Sequence, residues 1–247
     1  MALFEARQLH KKFGDQVVLQ SVSLRFEEGS LSGIMGPNGA GKTTCFNVLT
    51  GLHRPDRGEV LLDGQDITGR SPREIARLGV ARSFQVMNLF NDDTAIDNIV
   101  IALHSIRHHA WNGWRDLGRF ESAYDEAAQV LCQVGLGGKE RSPCRRLSYG
   151  ERRALEIGVA LAARPRILFL DEPTAGLGTE GTARLLELIR ELKRHLTIVI
   201  IEHDMNFLFK LADRISVIHW GQVIAEGSPQ ALQANPWVQR STLGAIA

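Results

Sequence analysis

"LSGIMGPNGAGKTT", Leu31 to Thr44, decides the fold. Leu31–Met35 reads as a short apolar strand that ends at Gly36. A helix follows, starting near Lys42 and carrying Phe46, Val48 and Leu49. Between strand and helix lies G-x-x-x-x-G-K-[ST], supplied by Gly36, Pro37, Asn38, Gly39, Ala40, Gly41, Lys42 and Thr43, with Thr44 next. The pattern has a chemical logic. Glycines let backbone N–H groups close around phosphate oxygens, and the helix turns its positive N-terminal end toward them. Lys42 is placed to reach the outer phosphates, and the Thr43 hydroxyl to ligate Mg²⁺. A Gly-rich turn with an accidental lysine is the competing reading, and it leaves the flanking strand and helix without a reason.

Two further strand ends carry charged groups. In "ILFLDEP", four apolar residues precede Asp171-Glu172. A continuous apolar run suits a strand buried on both faces, and ligands of such sheets bind beyond the carboxyl ends of the strands. Asp171, last on the strand, suits a Mg²⁺ ligand, directly or through water. Glu172, one residue farther out, suits a base that polarises an attacking water. "IVIIEHD" repeats the arrangement and places His203 to hydrogen-bond a terminal phosphate or the attacking water. The structural alternative for each is a polar strand end with no ligand.

The rest of the chain supports an α/β class. Leu3–Leu9 alternates, Val22, Leu24 and Phe26 share a strand face, and Gly58–Leu62 is a strand closed by the turn dipeptide Asp63-Gly64. Ser71-Pro72-Arg73-Glu74 is a capping-box helix start, Gly79 ends that helix, and Val80–Phe84 returns as a strand into Gln85. From Thr94 to Arg164 only helical periods occur. Ile96, Ile99, Val100 and Leu103 form one stripe, and Ala127, Val130, Leu131 and Val134 another. Strands and helices then alternate: Ile167–Leu170, Thr182–Arg194, Thr197–Ile201, Met205–Ala212 and Ile215–Ile218. This order predicts a mainly parallel, doubly covered sheet, an N-terminal antiparallel β subdomain and an inserted α-helical subdomain. The expected division is one domain over 1–247. Its α/β core spans 1–87 and 161–228, the helical subdomain 88–160 and a C-terminal helical tail 229–247.

Bulk properties narrow the function classes. The chain has 247 residues, 44% apolar and 23% charged, with a formal net charge of +1. Near-neutral charge argues against a nucleic-acid partner. Cys45, Cys132 and Cys144 are too few and too scattered for a disulfide framework or a zinc site, and read as small packing residues. The N-terminus lacks a long apolar stretch, so no signal peptide is expected. No run of about 18 apolar residues occurs, so work at a membrane requires a partner that spans it. "HSIRHHAWNGWRDLGRF", His104 to Phe120, is basic and aromatic. It reads either as a contact with a membrane subunit or lipid surface, or as a solvated helical connection. His108 and His109 lack paired ligands for a metal.

The phosphate loop, Gln85 after a strand, "LSYGE" at Leu147–Glu151, "ILFLDEP" and His203, taken in that order, resemble the ATPase subunit of an ATP-binding cassette (ABC) transporter. The resemblance runs from Phe13 to about Gly227 and implies a RecA-like P-loop NTPase core. "ARSFQ", the tyrosine of "LSYGE", "DEPTAGL", "IEHDM" and "VIAEGSP" look most like the branched-chain and hydrophobic amino acid uptake group. It implies ATP and Mg²⁺ as ligands. Phe13 would stack on adenine, its alternative being an ordinary core phenylalanine. Gln85 would sense Mg²⁺ and the γ-phosphate and link to the membrane subunit. Glu172 would be the catalytic glutamate and His203 the switch histidine. Leu147, Ser148, Tyr149, Gly150 and Glu151 would form the signature motif, which acts on ATP held by a facing subunit.

Three departures stand out. Tyr149 replaces the commonest glycine, as is usual in the amino acid group. Glu151 replaces the commonest glutamine. Gly178 stands where many members have an aspartate that helps tie two ATPase subunits together. The implied partners are a second ATPase subunit, identical or homologous, transmembrane permease subunits, and a periplasmic or surface solute-binding protein. The implied place is peripheral, on the cytoplasmic face of the bacterial inner membrane. Alternatives are uptake of urea or amides, export, or a non-transport cassette ATPase of DNA repair or translation. A single cassette, no zinc module and a short gap between phosphate loop and signature weigh against the last class.

Overall fold

The computed structural model describes residues 2–83, 89–103 and 117–235, with only the backbone for 117–120. Gln85, the 104–116 stretch and the tail beyond 235 lie outside the described residues.

Two sheets organise the fold. The first is antiparallel, in the order β2-β1-β4-β5. Its strands are β1 (Ala2–Phe13), β2 (Gln16–Glu27), β4 (Arg57–Leu62) and β5 (Gln65–Asp66). The second has the order β10-β9-β3-β8-β7-β6. It contains β3 (Leu31–Met35), β6 (Val80–Arg82), β7 (Ile167–Asp171), β8 (Thr197–Ile201), β9 (Arg214–His219) and β10 (Gln222–Gly227). Strands β9, β3, β8, β7 and β6 are mutually parallel, and β10 closes the edge antiparallel to β9.

The continuous apolar runs are explained by burial on both faces. All five residues of β3, β7 and β8 are buried. Side chains alternate across a strand, so each run feeds two cores. Leu168, Leu170, Ile198 and Ile200 join the core under the later helices. Ile167, Phe169, Val199 and Ile201 join the core shared with β1, β2 and β4. Phe169 is the hub of the second core, with its ring 5.3 Å from Phe4, 6.0 Å from Phe26 and 6.1 Å from Phe46. These edge-on contacts are a favoured aromatic geometry.

Helices α1 (Lys42–Leu49) and α2 (Pro72–Arg77) belong to the first half of the chain. Ser71 and Glu74 close the capping box that their spacing predicts. The middle is helical, with α3 (Ala95–Ala102), α4 (Leu117–Gln133) and α5 (Tyr149–Leu161). Both predicted stripes face inward: Ile99, Val100 and Leu103 are buried and Ile96 packs against them partly buried, while Ala127, Val130, Leu131 and Val134 are all buried. The last third adds α6 (Thr179–Lys193), α7 (Met205–Phe209) and α8 (Pro229–Gln233).

Two helix boundaries and one strand differ most from the sequence reading. Helix α6 begins at Thr179, three residues before the expected Thr182, because its N-cap is Gly178, which offers no side-chain signal. Helix α7 ends at Phe209 rather than at Ala212, although Leu211 and Ala212 stay buried beyond it. Strand β10 was not expected. Its residues are only half-buried on one face, so it is defined by pairing with β9 rather than by hydrophobic alternation.

Candidate active site

The register of the parallel sheet brings three loops to one edge. Ile34 of β3 pairs with Ile201 of β8, and Ile201 pairs with Asp171 of β7. The phosphate loop, the Asp171-Glu172 turn and the Glu202-His203-Asp204 turn therefore leave adjacent strand ends. Backbone hydrogen bonds continue past the strands: Glu202 N donates to Ile34 O at 3.1 Å and Glu172 N to Ile201 O at 2.8 Å.

The loop needs its glycines for space. A Cβ at Gly36 would lie 2.0 Å from Ile218 O, a main-chain atom that cannot swing away. Gly41, the N-cap of α1, has φ +100, and a Cβ there would meet Val18 O at 2.9 Å. Only glycine adopts that backbone freely. The contact also shows that the β1–β2 hairpin lies against the helix start. At the turn end of this hairpin, where it pairs with Gln16, Phe13 is 46% exposed, with its ring edge-on to His53 at 5.4 Å and the Lys11 ammonium 5.4 Å from its centre. An exposed aromatic face is available to stack on a planar ring, and the core alternative for Phe13 fails on its exposure.

Lys42 is buried, and its ammonium donates to Gly36 O at 2.8 Å and Pro37 O at 3.0 Å. Burial lowers its pKa, and the charges of Glu172, Asp171 and Glu202 oppose that shift. The loop cation and the strand-end carboxylates thus act on one another directly. Asp171 is 3% exposed. Its carboxyl is pushed up to about 6, first by burial and then by the Glu172 charge, against the pull of Arg82, Arg153 and Lys42. A buried carboxylate held in this way gains by meeting a cation. Thr43 is exposed at the second position of α1. A hydroxyl and a carboxylate form the oxygen-only, few-ligand set that Mg²⁺ takes alongside phosphate oxygens.

Glu172 is accessible, its side chain 24% exposed, and its backbone adopts φ +44. A left-handed glutamate is strained, and such strain persists only where neighbours over-determine it. His203 Nδ1 lies 3.7 Å from Glu172 Oε1 and 3.6 Å from Glu202 Oε2. Carboxylate and imidazole can therefore address the same small reactant.

Sequence reasoning passed over Glu202, which is fully buried. Its Oε1 accepts the Thr174 N–H at 2.9 Å and also the Thr174 hydroxyl. Its Oε2 accepts the N–H of His203 at 3.1 Å and that of Asp204 at 3.4 Å. A charged residue directly after an apolar strand was the available signal, since such a group must find donors.

The "LSYGE" stretch forms the start of α5. Leu147 is buried. Ser148 is the N-cap, and it closes a capping box with Glu151: Ser148 N donates to Glu151 Oε2 at 2.8 Å. Ser148 is exposed, and its hydroxyl accepts the Glu151 N–H at 3.4 Å. A Cβ at Gly150 would meet only Leu177, at an ordinary 3.7 Å, so packing within the chain does not demand glycine there. The Tyr149 hydroxyl donates to Ala175 O at 3.0 Å, which ties this tip to the loop after the carboxylates.

Comparison with known proteins gives consistent results. Residues 19–175 match the family model described as "ABC transporter". The chain is 39% identical to the high-affinity branched-chain amino acid transport ATP-binding protein LivG of Escherichia coli (strain K12), over 98% of each chain. It is equally identical to the Pseudomonas aeruginosa protein BraF of the same description, again over 98% of each. Identity to the lipopolysaccharide export system ATP-binding protein LptB of Acidithiobacillus ferridurans is 35%, over 98% of this chain and 97% of that one. The crystal structure of the ADP conformation of MJ1267, an ATP-binding cassette of an ABC transporter, superposes with a TM-score of 0.87 at 28% identity, covering 99% of each chain.

Proposed function

The chain belongs to the ABC transporter family and is an ATPase, and from this premise we propose that it powers an importer of branched-chain or other hydrophobic amino acids. One observation carries the chemical part: Lys42, Asp171, Glu172 and His203 converge on one sheet edge, within electrostatic reach of one another. The 39% identity to LivG and BraF, against 35% to the export subunit LptB, supports the solute class over export.

Each residue takes a role its surroundings suit. The backbone of Gly36–Thr44 and the Lys42 ammonium hold the phosphates of ATP, and Phe13 stacks on the adenine. Thr43 and Asp171 would hold Mg²⁺, with Gln85 as a further ligand. Bound there, the ion would supply charge screening for the phosphate oxygens. Glu172 accepts a proton from the attacking water, and His203 orients that water or the γ-phosphate. Little covalent work falls to the protein, because positioning and charge stabilisation dominate phosphoryl transfer.

Leu147–Glu151 acts in trans. Ser148 and the start of α5 meet the γ-phosphate of ATP bound to a second cassette, identical or homologous. Gly150, which its own chain does not require, leaves room for that approach. ADP lacks the γ-phosphate, so the closed pair loses these contacts and reopens. Residues 88–160 serve as the helical subdomain that carries this motif, between core segments 1–87 and 161–228, with 229–247 as a tail. A groove of about 230 Å³ lined by Pro72, Ile75, Val80, Arg82, Leu89 and Val159 suits a helix of the transmembrane permease. No helix among the described residues can itself cross a membrane. A place on the cytoplasmic face of a bacterial inner membrane, with a solute-binding protein outside, completes the assembly.

The test has two arms. Glu172→Gln should retain ATP binding and lower turnover roughly 100-fold or more, as loss of a general base does. Near-wild-type turnover would remove Glu172 from the role. Membrane complexes co-purified with the chain should take up leucine in preference to urea. Urea uptake, or no membrane partner at all, would overturn the importer reading.

A further inference from the structure

Helix α5 reaches the backbone of the candidate catalytic Glu172 through the side chain of Arg153. Arg153 is buried, 3% exposed, and its guanidinium spreads over the turn that leaves β7. Nη2 donates to Glu172 O at 2.8 Å and to Asp171 O at 3.2 Å, and Nε donates to Pro173 O at 3.2 Å. Nη1 pairs with Glu156 Oε2 at 2.7 Å, one turn farther along the same helix. Three successive carbonyls are thus held by one rigid, planar cation. The middle one belongs to Glu172, whose φ of +44 needs such restraint. From the other side, Ile201 O holds the Glu172 N–H at 2.8 Å.

We propose that Arg153 is a positioning residue: it clamps the backbone of Glu172 and makes its placement depend on the signature end of its own helix. Ser148 caps that helix about 7 Å along the axis from Arg153. Between them, Tyr149 adds a second link, from its hydroxyl to Ala175 O at 3.0 Å. A load on Ser148 moves a stiff helix, and Arg153 passes the displacement to Asp171, Glu172 and Pro173. The link lies within one chain and does not need the aspartate that Gly178 replaces. Contact with a neighbour's nucleotide thereby sets the geometry of this chain's own carboxylate. The inference rests on the reading of Glu172 as the base.

The test is a cycle on the full-length chain, measured by ATP turnover, KM and thermal melting. Arg153→Lys keeps a charge but loses the fork. Arg153→Met with Glu156→Met removes the buried pair together and so avoids stranding one charge. Both variants should lose at least about tenfold in kcat, with KM within about twofold and cooperative melting retained. In a Glu172→Gln background the same changes should cost nothing further, because Arg153 acts through Glu172. Turnover within about twofold of the parent in both variants would overturn the clamp. An equal loss in the Glu172→Gln background would overturn it too, since the effect would then be general. The base reading fails separately, through undiminished turnover of Glu172→Gln alone.

Discussion

The buried carboxylate of Glu202 receives Thr174, through its N–H at 2.9 Å and its hydroxyl, and so ties the exit of β7 to the exit of β8. The same carboxylate carries the N–H groups of His203 and Asp204 on its other oxygen. Glu172 and His203 therefore hang from one anchor. Glu202→Gln should destabilise the chain by about 2–3 kcal/mol, because an amide offers one acceptor where two are needed and its NH₂ faces other donors. Thr174→Val, which removes only the hydroxyl, should cost about 1 kcal/mol. Urea unfolding of the two variants checks the order.

Gly36→Ala should cost about 3 kcal/mol or prevent folding, because the added Cβ falls 2.0 Å from Ile218 O and only backbone movement relieves it. Gly39→Ala meets nothing within 4 Å and needs only its φ of +78 accommodated, so it should be milder. Melting temperatures of the pair distinguish a steric requirement from a conformational one.

Lys42→Ala should weaken ATP binding about 100-fold, the order expected when one partner of a buried charged contact is removed. Its fold should survive, since the ammonium is held at a desolvation cost that alanine escapes. Titration with a fluorescent ATP analogue, beside a melting curve, separates the two effects.

Glu226 pairs with Arg214 at 2.9 Å and accepts the Ser216 hydroxyl at 2.9 Å. The Arg214 hydrogen bond, ahead of the opposing effect of burial, holds its carboxyl below the ordinary glutamate value of 4.5. A depressed folded-state pKa means that its contribution is complete above pH ~4.5 and fades as pH falls through the lower folded value. With Arg214 half exposed, the contribution is about 1 kcal/mol or less. Glu226→Gln should therefore lower stability by up to about 1 kcal/mol in the neutral region, flatten the acid limb, and converge with the parent once pH falls below the folded value. Stability measured by urea unfolding from pH 3 to 7 gives the comparison.

Local physics made much of this protein legible in its sequence. The phosphate loop demands glycines, a lysine and a helix start within nine residues, and no distant contact is needed to read it. Strands β3, β7 and β8 announce themselves because burial on both faces removes polar residues altogether. The cap at Ser148 and the charged groups after β7 and β8 follow from the same short-range rules. The tertiary structure alone decided what those groups touch. Arg153 meets carbonyls 18 to 20 residues away, Glu202 meets Thr174 across 28, and Gly36 is held small by Ile218. Such partners are set by sheet register and helix placement, and no spacing in the chain encodes them. Strand β10 shows the same limit, being held by pairing with β9 rather than by its own pattern. The sequence by itself determined which residues could do the chemistry. The packed sheet decided which backbone atoms hold them in place, because satisfying buried polar groups is a property of the whole fold.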